Sequence, residues 1–129
     1  MDLYQEEIMD HYRNPRNRGK LENPDFTSGE YNPSCGDNVS IEGCVEDGRL
    51  VDAAFEGKGC VIGMATASIL TESCKGKTLD EILAIDKDEL CKLLGGMELG
   101  LTRLSCALLP LQALQQGIRD YKEKQGDKD

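Results

Sequence analysis

Leu3, Tyr4, Ile8 and Tyr12 recur at helical spacing before Asn14-Pro15 ends the pattern, which predicts one short amphipathic helix. From Arg16 to Pro33 no period is sustained, and the Asn, Gly, Pro and charged residues there read as an extended connection over the surface. Val39, Ile41, Gly43 and Val45 then alternate with Ser40, Glu42, Cys44 and Glu46, and Asp47-Gly48 precedes the apolar run Leu50 to Phe55. This is the signature of a β-hairpin, with Cys44 on its outward face.

Small residues and helix formers fill Val61 to Ser73, so a helix is expected directly after Gly57-Lys58-Gly59-Cys60. Thr78-Leu79-Asp80-Glu81 has the form of a capping box, and Asp86-Lys87-Asp88-Glu89 places a second cap before Leu90, Leu93 and Leu94. Two short helices follow, closed by Gly95-Gly96. Leu104, Leu108, Leu111, Gln115, Ile118 and Lys122 fall three or four apart, with Ala107 and Leu114 widening the stripe of a long last helix. Pro110 restricts where it begins. A proline is tolerated where its missing N–H would go unpaired, so the start is expected near Cys106 or Ala107, and an earlier start would need a kink. The charged tail from Lys122 to Asp129 lacks an apolar anchor and is expected to fray.

A chain of 129 residues fits one domain, residues 1–129, with one site. Its 15 basic and 24 acidic residues give a formal charge of -9, which repels phosphate backbones and anionic headgroups and argues against nucleic acid or membrane surfaces as partners. No basic segment followed by an apolar stretch opens the chain, so a cytoplasmic location is expected. In that reducing setting the six cysteines point to metal or sulfur chemistry rather than disulfides.

Cys60 and Cys106 are both expected at helix N-termini, where free N–H groups and the macrodipole stabilise a thiolate. Cys35 lies in the turn-rich Asn32-Pro33-Ser34-Cys35-Gly36-Asp37, whose Cys-x-Asp pair can offer two ligands to one centre. Three dispersed thiols and an aspartate are a weak signal by spacing alone, because no Cys-x-x-Cys pair is present. Cys44, Cys74 and Cys91 read as small hydrophobes. Arg103, three residues before Cys106, either turns toward the site or lies on the surface, and His11 with Tyr12 reads as helix packing.

The chain resembles the iron–sulfur scaffold proteins IscU and SufU and the N-terminal domain of NifU. Met9-Asp10-His11-Tyr12, Asn14-Pro15-Arg16-Asn17, Asn32 to Asp37, Phe55-Glu56-Gly57-Lys58-Gly59-Cys60, Met64 to Ser68 and Arg103-Leu104-Ser105-Cys106-Ala107 carry the likeness. The Phe-Glu-Gly-x-Gly-Cys block and the Arg-x-x-Cys ending look closer to SufU, but the insertion usual there between the second and third site cysteines is missing. Ser105 stands where ISC-type scaffolds carry a histidine, and Leu99-Gly100-Leu101-Thr102-Arg103 replaces the motif that recruits their Hsp70-type chaperone.

The resemblance implies an α+β fold of the SufE/IscU kind, with a three-stranded antiparallel sheet packed by helices. It implies that Cys35, Asp37, Cys60 and Cys106 hold a transient [2Fe–2S] cluster or Zn²⁺, with the three cysteines as candidate sulfur acceptors and Arg103 in support. The expected function is a scaffold that takes sulfur from a cysteine desulfurase (IscS, SufS or NifS type) and iron from a donor, and passes the cluster to apo iron–sulfur proteins. The alternative is a zinc-dependent sulfur acceptor for a SufS-type desulfurase. The harder Asp37 carboxylate is expected to make one edge of a cluster easier to exchange.

Overall fold

The computed structural model describes residues 3–33, 36–96 and 99–126, with side chains for all of these except 3–5 and 126. Helix α1 (Leu3–Arg13) leads into a three-stranded antiparallel sheet of β1 (Phe26–Asn32), β2 (Asp37–Glu46) and β3 (Arg49–Lys58) in that order. Four helices follow: α2 (Val61–Cys74), α3 (Leu79–Leu83), α4 (Lys87–Leu93) and α5 (Leu101–Gly126). This is the expected α+β sheet-and-helix fold.

The β2–β3 hairpin forms where the alternation placed it. Asp47 and Gly48 both have positive φ, 52° and 74°, the turn geometry whose twist matches flanking strands. Val39 and Ile41 point into the core, while Cys44 faces outward, half-buried, with its thiol 3.5 Å from the Asn23 carbonyl. Thr78 makes a full capping box with Glu81, and Asp86 accepts from the Glu89 N–H at 2.9 Å. Both short helices thus start at their predicted caps.

The structure corrects the sequence reading at three places. First, the stretch from Arg16 to Pro33 is not all loop, because Phe26–Asn32 forms β1. Its sequence, Phe-Thr-Ser-Gly-Glu-Tyr-Asn, has a single large apolar residue facing inward, so no alternation marks it. Tertiary packing makes it a strand: the Phe26 ring fills space left by Gly43 on β2 and Gly117 on α5, and a methyl on either glycine would collide with it. Earlier in the same stretch, Asn17 to Gly19 runs beside β3, with Phe55 N–H donating to the Asn17 carbonyl and Gly19 N–H to the Phe55 carbonyl, both at 2.9 Å. That edge of the sheet is thereby covered.

Second, α5 begins at Leu101 rather than near Cys106, and Pro110 sits inside it, fully buried. The proline rule counts only the helix's own hydrogen bonds, whereas α5 is held by packing along β1, β2 and α2. The helix also continues through the residues expected to fray, as an exposed end reaching Gly126.

Third, Tyr12 is 40% exposed, and His11 takes the buried place on α1 beside Ile8. His11 Nδ1 and Ser68 Oγ are 2.7 Å apart, and that hydroxyl also accepts from the Arg16 N–H at 2.8 Å. Desolvation pushes the histidine's pKa down, with Arg16 adding to it and Glu72, Glu7 and Asp10 opposing. His11 is therefore a packing residue that fastens α1 and the Arg16 turn to α2. No described helix is long and apolar enough to cross a membrane.

Candidate metal centre

Three of the four expected ligands converge at one end of the sheet. Asp37 is the first residue of β2, paired with Asn32 across the ladder, and its carboxylate is buried. Cys60 is the N-cap of α2, with extended backbone (φ -70°, ψ 167°). Cys106 is buried on the second turn of α5. One carboxylate oxygen and the two sulfurs all lie within 4.8 Å of one another.

Backbone geometry fixes this closeness. The Cys60 N–H donates to Asp37 Oδ2 at 3.3 Å, and the Gly63 N–H donates to Cys60 Sγ at 3.4 Å. Gly59 leaves room for the carboxylate, and Gly63 lies alongside it. A β-carbon on Gly59 would sit 2.7 Å from Asp37 Cγ, and one on Gly63 would lie 3.4 Å from both Asp37 Oδ2 and the Cys106 carbonyl and 3.8 Å from Cys60 Sγ. These glycines escape a reading that looks for ligating side chains. Their signal in the sequence was their place one residue before, and three after, a site cysteine.

The expectation that Cys60 and Cys106 each stand at a helix N-terminus holds for Cys60 and fails for Cys106. As the sixth residue of α5, Cys106 lies beyond the free N–H groups of the first turn. Its pKa is pushed far up, first by burial, then by Cys60 and by Asp37, which favour the protonated thiol. Cys60 by contrast is exposed. A cation entering here meets one accessible sulfur and displaces a proton from the other.

Cys35, the fourth expected ligand, lies outside the described residues. Arg103 is exposed, with no acidic partner at ion-pair distance among the described residues. Cys74 is fully buried with its pKa pushed up to about 11 by desolvation, as suits a core residue, and Cys91 is half-buried on α4. The donor set suits a borderline-soft ion or a cluster iron. At zinc bond lengths of about 2.3 Å to sulfur and about 2.0 Å to oxygen, tetrahedral donors stand about 3.5–3.8 Å apart, a spacing that the 4.8 Å limit accommodates.

Fold and site together define a small α+β domain that gathers thiols and a carboxylate at the end of a three-stranded sheet. The profile described as NifU-like N terminal domain matches residues 3–128, and the chain belongs to that family. It is 40% identical over 124 residues to the iron-sulfur cluster assembly scaffold protein IscU 1 of Archaeoglobus fulgidus, covering 96% of this chain and 80% of that one. It is 36% identical over 141 residues to the zinc-dependent sulfurtransferase SufU of Bacillus subtilis, covering 97% and 94%. Among solved structures, the crystal structure of the N-terminal part of a NifU-like protein from Brucella abortus superposes with a TM-score of 0.77 at 25% identity, over 95% of this chain and 96% of that one.

Proposed function

We propose that this protein is an iron–sulfur cluster assembly scaffold: it accepts sulfur from a cysteine desulfurase, binds iron, assembles a [2Fe–2S] cluster and hands it to apo-proteins. The observation that carries the reading is the approach of Asp37, Cys60 and Cys106 to within 4.8 Å at a site open to solvent through Cys60. With Cys35, two residues from Asp37 in the chain, the protein offers the four ligands a [2Fe–2S] cluster takes, without histidine.

Each residue has a distinct task in this reading. The Cys60 thiolate, supported by the Gly63 N–H, attacks the outer sulfur of the desulfurase's persulfide. A new S–S bond forms at Cys60, the old one breaks, and the desulfurase leaves as its thiolate. Two electrons from an external donor protein reduce that sulfane sulfur to the sulfide of the cluster. Cys106 and Cys35 hold iron as thiolates, and Asp37 supplies the harder and more exchangeable bond. The SufU relative favours a second reading, in which the same four groups hold zinc and the protein only relays sulfur. Zinc would then close the fold around the site and keep its thiols deprotonated.

The test is anaerobic incubation with ferrous iron, cysteine and a cysteine desulfurase, followed by absorption spectroscopy and metal analysis. Charge-transfer bands with about two irons per chain, lost in Cys60→Ala, are expected. A colourless protein that keeps one zinc and accelerates the desulfurase would replace the scaffold with the sulfur relay.

A further inference from the structure

Pro110 stands four residues after Cys106, fully buried inside α5, and the helix runs on past it to Gly126. In an α-helix the N–H of residue 110 would donate to the carbonyl of residue 106. Proline has no N–H, and its ring crowds that carbonyl, so the Cys106 oxygen lacks its regular helical partner. No other residue type costs a helix interior as much, and here the gap falls on the turn of α5 that begins at a site cysteine.

The released oxygen has a definite neighbour. It lies 3.4 Å from the position that a β-carbon on Gly63 would take, with Asp37 Oδ2 also at 3.4 Å and Cys60 Sγ at 3.8 Å from the same point. The bare Cα of Gly63 is therefore where the backbone of Cys106 meets the two other donors. Gly63 gives its N–H to Cys60 Sγ, and the hydrogens on its Cα are of the kind that recur opposite carbonyl oxygens where helices approach closely. A carbonyl bonded within its own helix points along the axis, whereas one without a donor is free to tilt outward. Tilt toward Gly63 brings the Cys106 backbone to the first turn of α2, which Cys60 caps. Pro110 also fills core space, but bulk is a demand that valine meets as well. Withholding an N–H is one that proline alone meets.

We propose that Pro110 is a positioning residue for the metal centre: by withholding an N–H from the Cys106 carbonyl, it lets that oxygen rest beside Gly63 and so sets Cys106 Sγ next to Cys60 Sγ and the Asp37 carboxylate. The inference deepens the metal-binding reading above and rests on it. Restoring the amide draws the carbonyl back along α5 and retracts the sulfur from donors that stand on other elements.

Pro110→Val and Pro110→Ala both restore the amide, the first keeping about the bulk of the ring and the second leaving a void. The experiment titrates the metal-free proteins with Co²⁺ against a chromophoric chelator, records the cobalt–thiolate and d–d bands, and measures the melting of the metal-free forms. Both variants are expected to bind cobalt about tenfold more weakly with shifted d–d bands, because the support of a ligand has moved. Pro110→Val is expected to melt no lower than wild type, and Pro110→Ala below Pro110→Val. Wild-type affinity and bands in Pro110→Val overturn the proposal, and if Pro110→Ala alone then weakens binding in step with its melting, the ring serves only as bulk. Should Pro110→Val fail to fold, Pro110→Ala decides at a temperature well below its melting: shifted bands with weaker binding support the positioning role, and wild-type bands overturn it. Absence of cobalt–thiolate bands in the wild-type protein overturns the metal-site reading and the positioning role with it, an outcome distinct from normal bands that neither variant alters.

Discussion

Gly59→Ala tests the proposed metal centre without touching a proposed ligand. Gly59 does not have a positive φ, so alanine is free to adopt its backbone and the perturbation is confined to one methyl group. That methyl would sit 2.7 Å from Asp37 Cγ, 2.8 Å from Oδ2 and 3.1 Å from Oδ1. Carbon contacts settle at about 3.5–4.0 Å, so the carboxylate has to retreat by roughly 0.8 Å or more, and the strand beneath it is held in the ladder. Retreat breaks the Cys60 N–H bond to Oδ2 and moves the oxygen away from both sulfurs. The overpacking costs about 1–3 kcal/mol of fold stability, and displacing a ligand's support is expected to weaken zinc binding about 10–100-fold. Competition against a chromophoric chelator measures the affinity, and thermal melting of the metal-free protein measures the strain. Gly63→Ala is the control, because its methyl meets Asp37 Oδ2 and the Cys106 carbonyl at an ordinary 3.4 Å and is expected to leave affinity within about threefold. Undiminished zinc affinity in Gly59→Ala would refute Asp37 as a ligand held by this cradle.

Other consequences are open to direct measurement. Asp37→Ala is expected to slow cluster transfer to an apo-ferredoxin, since the exchangeable carboxylate edge is gone, and unchanged or faster transfer would count against that role. Gln115 donates its buried amide to the carbonyls of Ile82, Leu83 and Ile85 at 3.1, 3.5 and 2.9 Å, so Gln115→Ala should cost about 2–3 kcal/mol in urea unfolding, and a loss under about 0.5 kcal/mol would show the clasp idle. Among the described residues Thr66 Oγ1 is buried without a hydrogen-bond partner, so Thr66→Val, nearly isosteric, should raise stability by up to about 1 kcal/mol, where clear destabilisation would reveal a hidden partner. Because burial lowers the pKa of His11, the unfolded chain binds its proton at higher pH than the native one. Stability from this group is therefore full above the ordinary histidine value of about 6.5 and declines as pH falls through and below it, so His11→Gln should flatten the fall in melting temperature between about pH 7.5 and pH 5.

The elements that could be read in advance are those whose signal is local. The β2–β3 hairpin announces itself by alternation and an Asp-Gly turn, and α3 and α4 by side chains that bond to N–H groups three residues on. β1 was not readable because its strand character comes from outside it: Phe26 has one neighbour on β2 and another on α5, distant in sequence, and nothing near Phe26 records that Gly43 and Gly117 have vacated the space. The start of α5 was misplaced for a related reason. A proline's cost to a helix is local and easily counted, while the packing that outweighs it is spread along the sheet and α2. His11 also took a place that hydrophobicity assigns to Tyr12, since its partner Ser68 belongs to another helix.

At the site, residue types in sequence pointed to the proposed ligands, and geometry brings Asp37, Cys60 and Cys106 together on unequal terms. Reading Cys60 and Cys106 as equivalent helix-terminal thiolates treats each within its own segment, where the two look alike. Across the fold they differ: Cys60 is exposed and supported by a backbone N–H, while Cys106 is buried against Asp37 and Cys60 and favours the protonated form. A thiol that must meet a partner protein's persulfide has to be reachable. One that must retain iron benefits from burial, provided that a cation's arrival repays the loss of its proton. On the proposed reading, this asymmetry assigns sulfur uptake to the exposed Cys60 and iron retention to the buried Cys106. Substitution separates the two roles: Cys60→Ala should abolish persulfide uptake from the desulfurase, whereas Cys106→Ala should leave uptake at Cys60 intact and lose the cluster.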